Sequence, residues 1–334
     1  MLDSFSSGWL PSLESLAPDP LLLLGAVALD GLVGDPVCPL HPVRLTGAAL
    51  ARIEAVLRRL GLDGRIGGCL LFVVLGCLCA GLVSAAALAL GHLSPLLASV
   101  FHFFMLYSLL ALRDLFRHGL AIDRAAGAGD LVAARRATAM LVARDTAPMD
   151  AAACRRAGME SLAENAVDGF VSPLFWYALL GLPGIALFKV ISTMDSMVGN
   201  RTPRYLRFGW CGARLDDLFN SVPARLTYAL MVLVAALLPG CSARKALVAG
   251  WRQHRLVPGP NSGWSEAAAA GALQCRLAGP IWQGGERITD LWLGCPEDPE
   301  GGRPGDLPRT CLFIAATCLV FAGATALALR ALCP

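Results

Sequence analysis

The chain has 334 residues, of which 56% are hydrophobic and only 16% are charged. Because an ordinary soluble domain carries about 25% charged residues, this composition indicates a polytopic membrane protein and excludes a soluble core. The formal net charge of +3 is small, and no basic tract indicates a nucleic-acid partner.

Apolar segments of about 20 residues predict transmembrane helices. Segments 67–91, 95–112 and 310–332 have this character. Only residues 92–94 separate the first two segments, so we expect them to form an antiparallel helical hairpin.

Three further apolar segments are interrupted or short: 21–34, which contains Asp30 and Gly31; 170–198, which is split by a breaker at 181–184; and 226–238. Such segments suit half-helices or re-entrant turns that line a cavity. The prediction is an all-α, polytopic membrane protein with broken or re-entrant helices. We expect four to six crossings and a single domain over residues 1–334.

Loop charge predicts part of the orientation, because cytoplasmic loops are enriched in arginine and lysine. Residues 1–20 contain neither Arg nor Lys, so we expect an uncleaved, non-cytoplasmic N-terminus. The arginine-rich loop 44–66 should be cytoplasmic. Segment 113–165, with breaks at 127–130 and 145–148, should form cytoplasmic amphipathic helices.

Several common sites are not expected from the sequence. The twelve cysteines and five histidines show no CxxC or HExxH spacing, which argues against structural zinc or haem. No GxxxxGK[ST], GxGxxG or GxSxG motif occurs, which disfavours a P-loop ATPase, a Rossmann enzyme or an α/β-hydrolase.

The first concentration of polar residues follows a helical spacing. Glu160, Glu164 and Asp168 recur every four residues and Asn165 lies among them, so these side chains should share one broad helix face. Oxygen ligands of this kind suit Mg²⁺. A solvated face of a surface helix explains the same pattern equally well.

A second concentration begins at Asp195 and is rich in arginine. Arg201, Arg204 and Arg207 are spaced three apart, which predicts guanidinium groups clustered on one side to bind phosphates. Arginines that extend to lipid headgroups are the competing interpretation.

The third concentration runs from Arg214 to Arg225. It contains adjacent Asp216 and Asp217, of which only one should face a site, because neighbouring helical residues point about 100° apart.

Two other stretches carry isolated polar residues in apolar surroundings. Asp30, Asp35 and His41 lie at the end of an apolar half-helix, where a buried aspartate needs a partner. Asn261 precedes an alanine-rich run and begins a helix whose N-terminus would favour anions.

Taken together, these blocks resemble the CbiB/CobD family of cobalamin biosynthesis, the adenosylcobinamide-phosphate synthases. The stretches that carry the resemblance, in chain order, are 29–30, 34–36, 41–43, 144–146, 160–165, 168–169, 195–199, 205, 207–210, 214–217, 223–225, 260–264 and 266–267. Each stretch alone is weakly specific, whereas the ordered set is highly specific.

The resemblance implies a multi-pass enzyme of the bacterial inner membrane. It would join adenosylcobyric acid to (R)-1-amino-2-propanol phosphate, or to aminopropanol, with ATP and Mg²⁺. The expected partners are the corrinoid, the amino alcohol phosphate and the lipid bilayer. The resemblance also allows for homo-oligomers and for association with other membrane enzymes of cobalamin assembly.

Residue roles follow from the resemblance as hypotheses. Catalytic roles would fall to Glu160, Glu164, Asp168 and Asp195; metal binding to Asp168, Asp195, Asp216 and Asp217; substrate or phosphate binding to Asn165, Arg201, Arg207, Arg214, Arg225 and Asn261; and further roles to Asp30, Asp35 and His41. We expect the acidic and guanidinium groups to meet in one water-accessible pocket against the bilayer.

Two other functions remain alternatives. A membrane regulatory protein of the β-lactamase induction type belongs to the same superfamily and would need no catalysis. A transporter with broken helices would also explain the breaker at 181–184.

Overall fold

The computed structural model describes residues 14–36 and 38–332. Helices dominate these residues, which confirms the all-α prediction. The predicted non-cytoplasmic N-terminal segment lies mostly outside the described residues, which begin at Glu14.

The helices in chain order are α1 (Pro20–Val33), α2 (Pro42–Arg59), α3 (Arg65–Leu93), α4 (Pro95–Ser108), α5 (Leu112–Gly127), α6 (Leu131–Ala139), α7 (Ala151–Ala166), α8 (Ser172–Val198), α9 (Trp210–Phe219), α10 (Ser221–Leu237), α11 (Ala243–Gln253), α12 (Ser262–Leu273) and α13 (Asp306–Leu332). A π-helical turn, Val167–Val171, lies between α7 and α8. The strands are β1 (Leu277–Ala278), β2 (Ile281–Gln283), β3 (Glu286–Thr289) and β4 (Trp292–Leu293). The antiparallel pairs are β1 with β4 and β2 with β3.

Among the described residues, four helical stretches are long and apolar enough to cross a membrane: Arg65–Leu93, Pro95–Gly127, Ala151–Val198 and Asp306–Leu332. The pair α9 and α10, bent by 41°, would make a fifth span if it crosses as one. This outcome confirms a polytopic membrane protein and agrees with the lower part of the predicted range of crossings. The segments expected at 67–91 and 310–332 are confirmed, and α4 ends earlier than expected, at Ser108.

The predicted interruption at Asp30 and Gly31 is wrong. Helix α1 continues through both residues and ends at Gly34, whose N–H donates to the Asp30 backbone oxygen at 2.9 Å. Gly34 has φ 86°, a conformation that favours glycine and ends the helix.

The break in α8 is confirmed. Gly181 has φ 64° and ψ −149°, and the Leu182 N–H donates to the Leu16 carbonyl at 3.0 Å instead of continuing the helix. A Cβ at position 181 would lie 1.9 Å from the same carbonyl oxygen. Glycine is therefore required here both by conformation and by space.

Contacts divide the chain into two compact units. Unit 1 comprises residues 14–111, 172–219 and 322–332, and unit 2 comprises 112–171 and 220–321. In unit 1, α2, α3 and α8 pack around buried Leu50, Leu71, Met194 and Phe208. In unit 2, α12 packs against α7, α10 and α11. The single domain over residues 1–334 stays a prediction.

Candidate functional site

In unit 1, Asp195 lies in the last turn of α8, and Gly199 follows the end of this helix. The Gly199 N–H donates to the Asp195 backbone oxygen at 2.8 Å. A Cβ at position 199 would lie 2.1 Å from the Asp195 Oδ1 atom and 2.6 Å from its backbone oxygen. Glycine at this position therefore leaves room for the carboxylate over the helix end.

Helix α9 carries a second carboxylate, that of Asp217, near Asp195 at the end of α8. A Cβ at Gly212 would lie 3.1 Å from the Met194 Cβ, so the glycine permits close packing of α9 against α8. Asp217, on the same helix, lies within electrostatic range of Asp195. Its Oδ2 atom accepts a hydrogen bond from Arg214 at 3.3 Å. Two carboxylates and a guanidinium group thus come together from different helices.

Beside Asp217 lies a cavity of about 520 Å³, here named the arginine cavity. The residues that define it are Arg65, Asn200, Arg201, Tyr205, Arg207, Trp210, Arg214 and Asp217. Three of its four arginines were expected from the sequence to bind phosphates. Arg65 was not expected, and its guanidinium group lies 5.1 Å from the centre of the Trp210 ring. Asp216 does not line this cavity, in keeping with only one of the two adjacent aspartates facing it.

The expectation that Arg204 clusters with Arg201 and Arg207 is wrong. Residues 202–209 form turns rather than a regular helix, so a spacing of three does not align the side chains. Arg204 instead donates to the buried Glu54 carboxylate at 3.1 Å and therefore helps to attach this segment to α2.

In unit 2, Glu160 is buried and both of its carboxylate oxygens are engaged. Arg144 donates to Oε2 at 2.6 Å, and the Ala278 N–H donates to Oε1 at 3.0 Å. Ala278 has φ 65°, which is unusual for a residue with a side chain. Arg156 donates to the Ala278 carbonyl at 3.0 Å. These contacts give Glu160 a role in holding β1 against α7.

Two other glutamates lie close to Glu160. Glu164 is exposed, whereas Glu266, on α12, is buried. Burial raises the pKa of the Glu266 carboxyl well above its usual range, and the negative charges of Glu164 and Glu160 raise it further, while Arg144 opposes them. Glu266 was not among the predicted site residues. The available signal was an acid inside an otherwise apolar helix, where burial of a charge is costly.

The predicted shared face is retained at Glu160 and Glu164, which lie one turn apart on α7 and are both within electrostatic range of Glu266. Glu160 is buried, whereas Glu164 is exposed. A π-helical turn begins at Val167, so Asp168 lies beyond the regular α-helical repeat of the two glutamates. The Asn165 amide donates within α7, to the Ser161 carbonyl at 2.9 Å.

The remaining predicted residues do not line the arginine cavity. Asp30 is fully buried, and Asp35 pairs with buried His41 at 2.8 Å, all within unit 1. Arg225 and Asn261 belong to unit 2, and the Arg225 guanidinium group lies 5.2 Å from the centre of the Trp264 ring. Of the groups expected to meet in one pocket, Asp217 and the arginines at 201, 207 and 214 line the arginine cavity, and Asp195 lies within electrostatic range of Asp217. Glu164 belongs to unit 2.

No group of three or more His, Cys, Asp or Glu side chains among the described residues has an arrangement that would hold a metal ion by itself. Mg²⁺ is commonly bound by one or two carboxylates together with substrate phosphates. Asp217, which lines the arginine cavity, and Asp195, within electrostatic range of it, are two carboxylates of the kind that such Mg²⁺ binding needs. Asp168 belongs to the other unit.

Comparison with known proteins decides the family. The profile of the family described as "CobD/Cbib protein" matches residues 23–311. The chain belongs to the CobD/CbiB family.

Curated relatives cover most of this CobD/CbiB chain. The "Cobalamin biosynthesis protein CobD" of Pelobacter propionicus is 40% identical over 281 residues, which is 84% of this chain and 87% of the relative. The protein of the same name from Rhodobacter capsulatus is 43% identical over 80% of this chain and 83% of its own length. The protein of this name from Citrobacter koseri is 37% identical over 89% of this chain and 97% of its own length. Membership of this family supports a role in cobalamin biosynthesis. No solved structure matches the chain.

Proposed function

We propose that this CobD/CbiB family member is an ATP-dependent ligase of the bacterial inner membrane. It forms an amide between the carboxylate of adenosylcobyric acid and the amine of (R)-1-amino-2-propanol phosphate, or of aminopropanol. The product is adenosylcobinamide phosphate or adenosylcobinamide. The observation that carries the proposal is the arginine cavity, which four arginines and Asp217 line and whose Asp217 lies within electrostatic range of Asp195.

A carboxylate is a poor acyl donor, so the reaction needs activation. The γ-phosphoryl group of ATP is transferred to the corrinoid carboxylate, which breaks the bond to the bridging oxygen and releases ADP. The amine nitrogen then attacks the acyl carbon of the acyl phosphate. The bond from carbon to the phosphate oxygen breaks, inorganic phosphate leaves, and the amine loses a proton to a base.

The arginine cavity has the chemistry to bind the phosphate groups in this reaction. Arg65, Arg201 and Arg207 are exposed in it, and planar guanidinium groups pair bidentately with phosphate oxygens. Mg²⁺ held by Asp195 and Asp217 would supply further positive charge to the transferring phosphoryl group. Binding and orientation of the phosphates would be the main contribution of this cavity.

Glu164, in unit 2, keeps the catalytic role that the resemblance implies, here as the base that takes the amine proton. Glu164 is exposed and therefore accessible to a substrate. The buried Glu266 lies within electrostatic range of Glu164, so the two carboxyl groups influence each other's protonation.

The test uses purified full-length protein in nanodiscs with adenosylcobyric acid, Mg²⁺, ATP and each candidate amine. Mass spectrometry should detect the amide product only when ATP is present. Glu164→Gln and Asp217→Asn should each lower the rate by about 10²-fold or more, because general bases and phosphoryl-stabilising groups contribute at least this much.

Glu286→Gln, an exposed residue of β3, is the matched control and should retain the parental rate. Near-normal turnover of the Glu164 and Asp217 variants would refute their roles. Failure to form product with any amine would refute the ligase. Corrinoid flux into proteoliposomes without amide formation would then indicate a transporter, and neither activity would favour the regulatory protein.

A further inference from the structure

Helix α11 in unit 2 has its apolar side chains distributed in an unusual way. Its small residues, Ala246, Ala249 and Gly250, are buried against the protein. Its large apolar residues, by contrast, are exposed: Leu247 by 50%, Val248 by 43% and Trp251 by 68%. At helical spacing these three positions form one stripe about 100° wide. The largest hydrophobic groups of the helix therefore face away from the core of unit 2.

The same helix carries positive charge and no acid. Its sequence from Ala243 to Gln253 includes Arg244, Lys245 and Arg252, and Arg255 lies two residues beyond its end. Lys245 pairs with Asp298 at 2.5 Å. None of the three arginines forms an ion pair with a described residue. A large apolar stripe combined with unpaired arginines is typical of a helix that lies in the interface of a membrane.

Next to this stripe lies a cavity of about 850 Å³, here named the Trp264 cavity. Its defining residues are Arg225, Trp251, Arg252, His254, Arg255 and Trp264. The His254 ring stacks on Trp264, with 3.7 Å between ring centres and 14° between planes. The described residues that line the cavity include three arginines and no carboxylate, so it is suited to an anion and not to a metal ion.

Close packing shapes the walls of the Trp264 cavity. A Cβ at Gly250 would lie 2.3 Å from the Tyr228 ring, and one at Gly263 would lie 2.1 Å from the His254 carbonyl oxygen. These glycines let α10, the end of α11 and the first turn of α12 approach closely. The Tyr228 hydroxyl also donates to the Leu247 carbonyl at 2.8 Å. The three arginines of the cavity therefore extend from closely packed segments.

We propose that α11 lies in the membrane interface, with its Leu247, Val248 and Trp251 stripe in the acyl boundary, and that the Trp264 cavity binds the phosphate headgroup of an anionic phospholipid. Charge complementarity favours an anionic lipid over a zwitterionic one, and tryptophan with arginine is a common combination at the headgroup level. Arg225 was expected from the resemblance to bind substrate or phosphate. In this proposal it binds the phosphate of a lipid headgroup. This inference is independent of the proposed ligase.

The first measurement uses full-length protein in nanodiscs that contain either brominated phosphatidylglycerol or brominated phosphatidylcholine. Bromine quenches tryptophan fluorescence only at close approach. The chain has seven tryptophans, so the contribution of one is read as the difference between the parent and Trp251→Phe. We expect a substantial part of the quenching to disappear in Trp251→Phe. Equal quenching of both proteins would place Trp251 outside the lipid and overturn the proposal.

The second measurement counts the phosphatidylglycerol molecules retained by detergent-purified protein in native mass spectrometry. Each of Arg252→Gln and Arg255→Gln should lower the apparent lipid affinity about fivefold, since one arginine near an anionic surface contributes about 1 kcal/mol. Arg136→Gln replaces an exposed arginine on α6. It is the matched control and should leave the apparent lipid affinity unchanged.

A competing ligand of the same chemistry is a free nucleotide. A fluorescent ATP analogue is therefore titrated into the same proteins. If Arg252→Gln and Arg255→Gln weaken binding of this analogue while phosphatidylglycerol retention stays unchanged, the cavity is a nucleotide site and the proposal is wrong. Unchanged analogue binding with reduced lipid retention would support it.

Discussion

Single carboxylates of unit 2 differ according to what surrounds them. Glu160 is buried, and its carboxylate accepts hydrogen bonds from an arginine and from a backbone N–H. Glu266 is buried beside two other glutamates, and burial together with their charges raises its pKa well above the usual range. The surroundings therefore distinguish two buried acids: Glu160 has direct hydrogen-bond donors, whereas burial and neighbouring negative charges favour a proton on Glu266.

Glu266 predicts a dependence of stability on pH. Its pKa in the folded protein is raised above the ordinary value of 4.5, so the folded state binds a proton that the unfolded state releases. The stabilising contribution is complete below pH 4.5 and is lost as the pH rises through the folded pKa. Glu266→Gln has no such proton to release. We therefore expect its unfolding temperature, relative to the parent, to increase from pH 5 to pH 8.

The measurement is thermal unfolding of detergent-solubilised protein across this pH range. The groups that act on Glu266 are Glu164, Glu160, Arg144 and Ser262, and all are unchanged in the variant. Glu286→Gln changes an exposed residue of β3, and its unfolding temperature should vary with pH in the same way as that of the parent. A Glu266→Gln profile that is also parallel would show that this carboxyl group is ionised in the folded protein.

At the scale of elements, breaks in helices are predictable where glycine or proline causes them. The break in α8 was expected from the breaker at 181–184 and occurs at Gly181. The π-helical turn at Val167–Val171 was not expected, because its residues carry no comparable local signal. Asp168 lies within this turn, outside the regular α-helix that carries Glu160 and Glu164.

Gly181→Ala should destabilise the protein. The substitution puts an L side chain at φ 64° and brings its Cβ to within 1.9 Å of the Leu16 carbonyl oxygen. We expect a loss of about 1–3 kcal/mol, observed as a lower unfolding temperature in detergent. Gly323→Ala is the matched control, because no heavy atom lies within 4 Å of its added Cβ. This control should be neutral or stabilising by about 0.5–1 kcal/mol.

At the scale of the whole molecule, the orientation of α3 in the membrane can be tested directly. Loop 44–66 contains several arginines, so its residues near Asp63 should be cytoplasmic. Helix α3 has 29 residues and a mean hydropathy of 2.6 in its most apolar window, enough to cross the bilayer once. The far end of the helix, near Leu93, should therefore be outside the cytoplasm.

The experiment introduces Asp63→Cys or Leu93→Cys into a cysteine-free version of the chain. A membrane-impermeant maleimide applied to intact spheroplasts should label the Leu93→Cys protein, and should label the Asp63→Cys protein only after lysis. The cysteine-free parent controls for background labelling. Labelling of both positions from the same side would show that α3 does not cross the membrane.

Much of this protein could be predicted from its sequence. Long apolar stretches determine membrane helices because the bilayer accepts only segments whose backbone is satisfied internally. The ordered polar blocks identified the CobD/CbiB family, and the arginines at 201, 207 and 214 were correctly placed together with Asp217. These features depend on residues that lie near one another in the chain.

Only the tertiary structure decided which polar groups are partners. Glu160 meets Ala278 across 118 residues, and Arg204 meets Glu54 across 150, so neither pair could be inferred from local spacing. The burial of Glu266 and the outward stripe of α11 also depend on which helices pack together. A sequence specifies which side chains are available, but pairing and exposure are set by contacts between distant segments, because burial makes each charge depend on its neighbours.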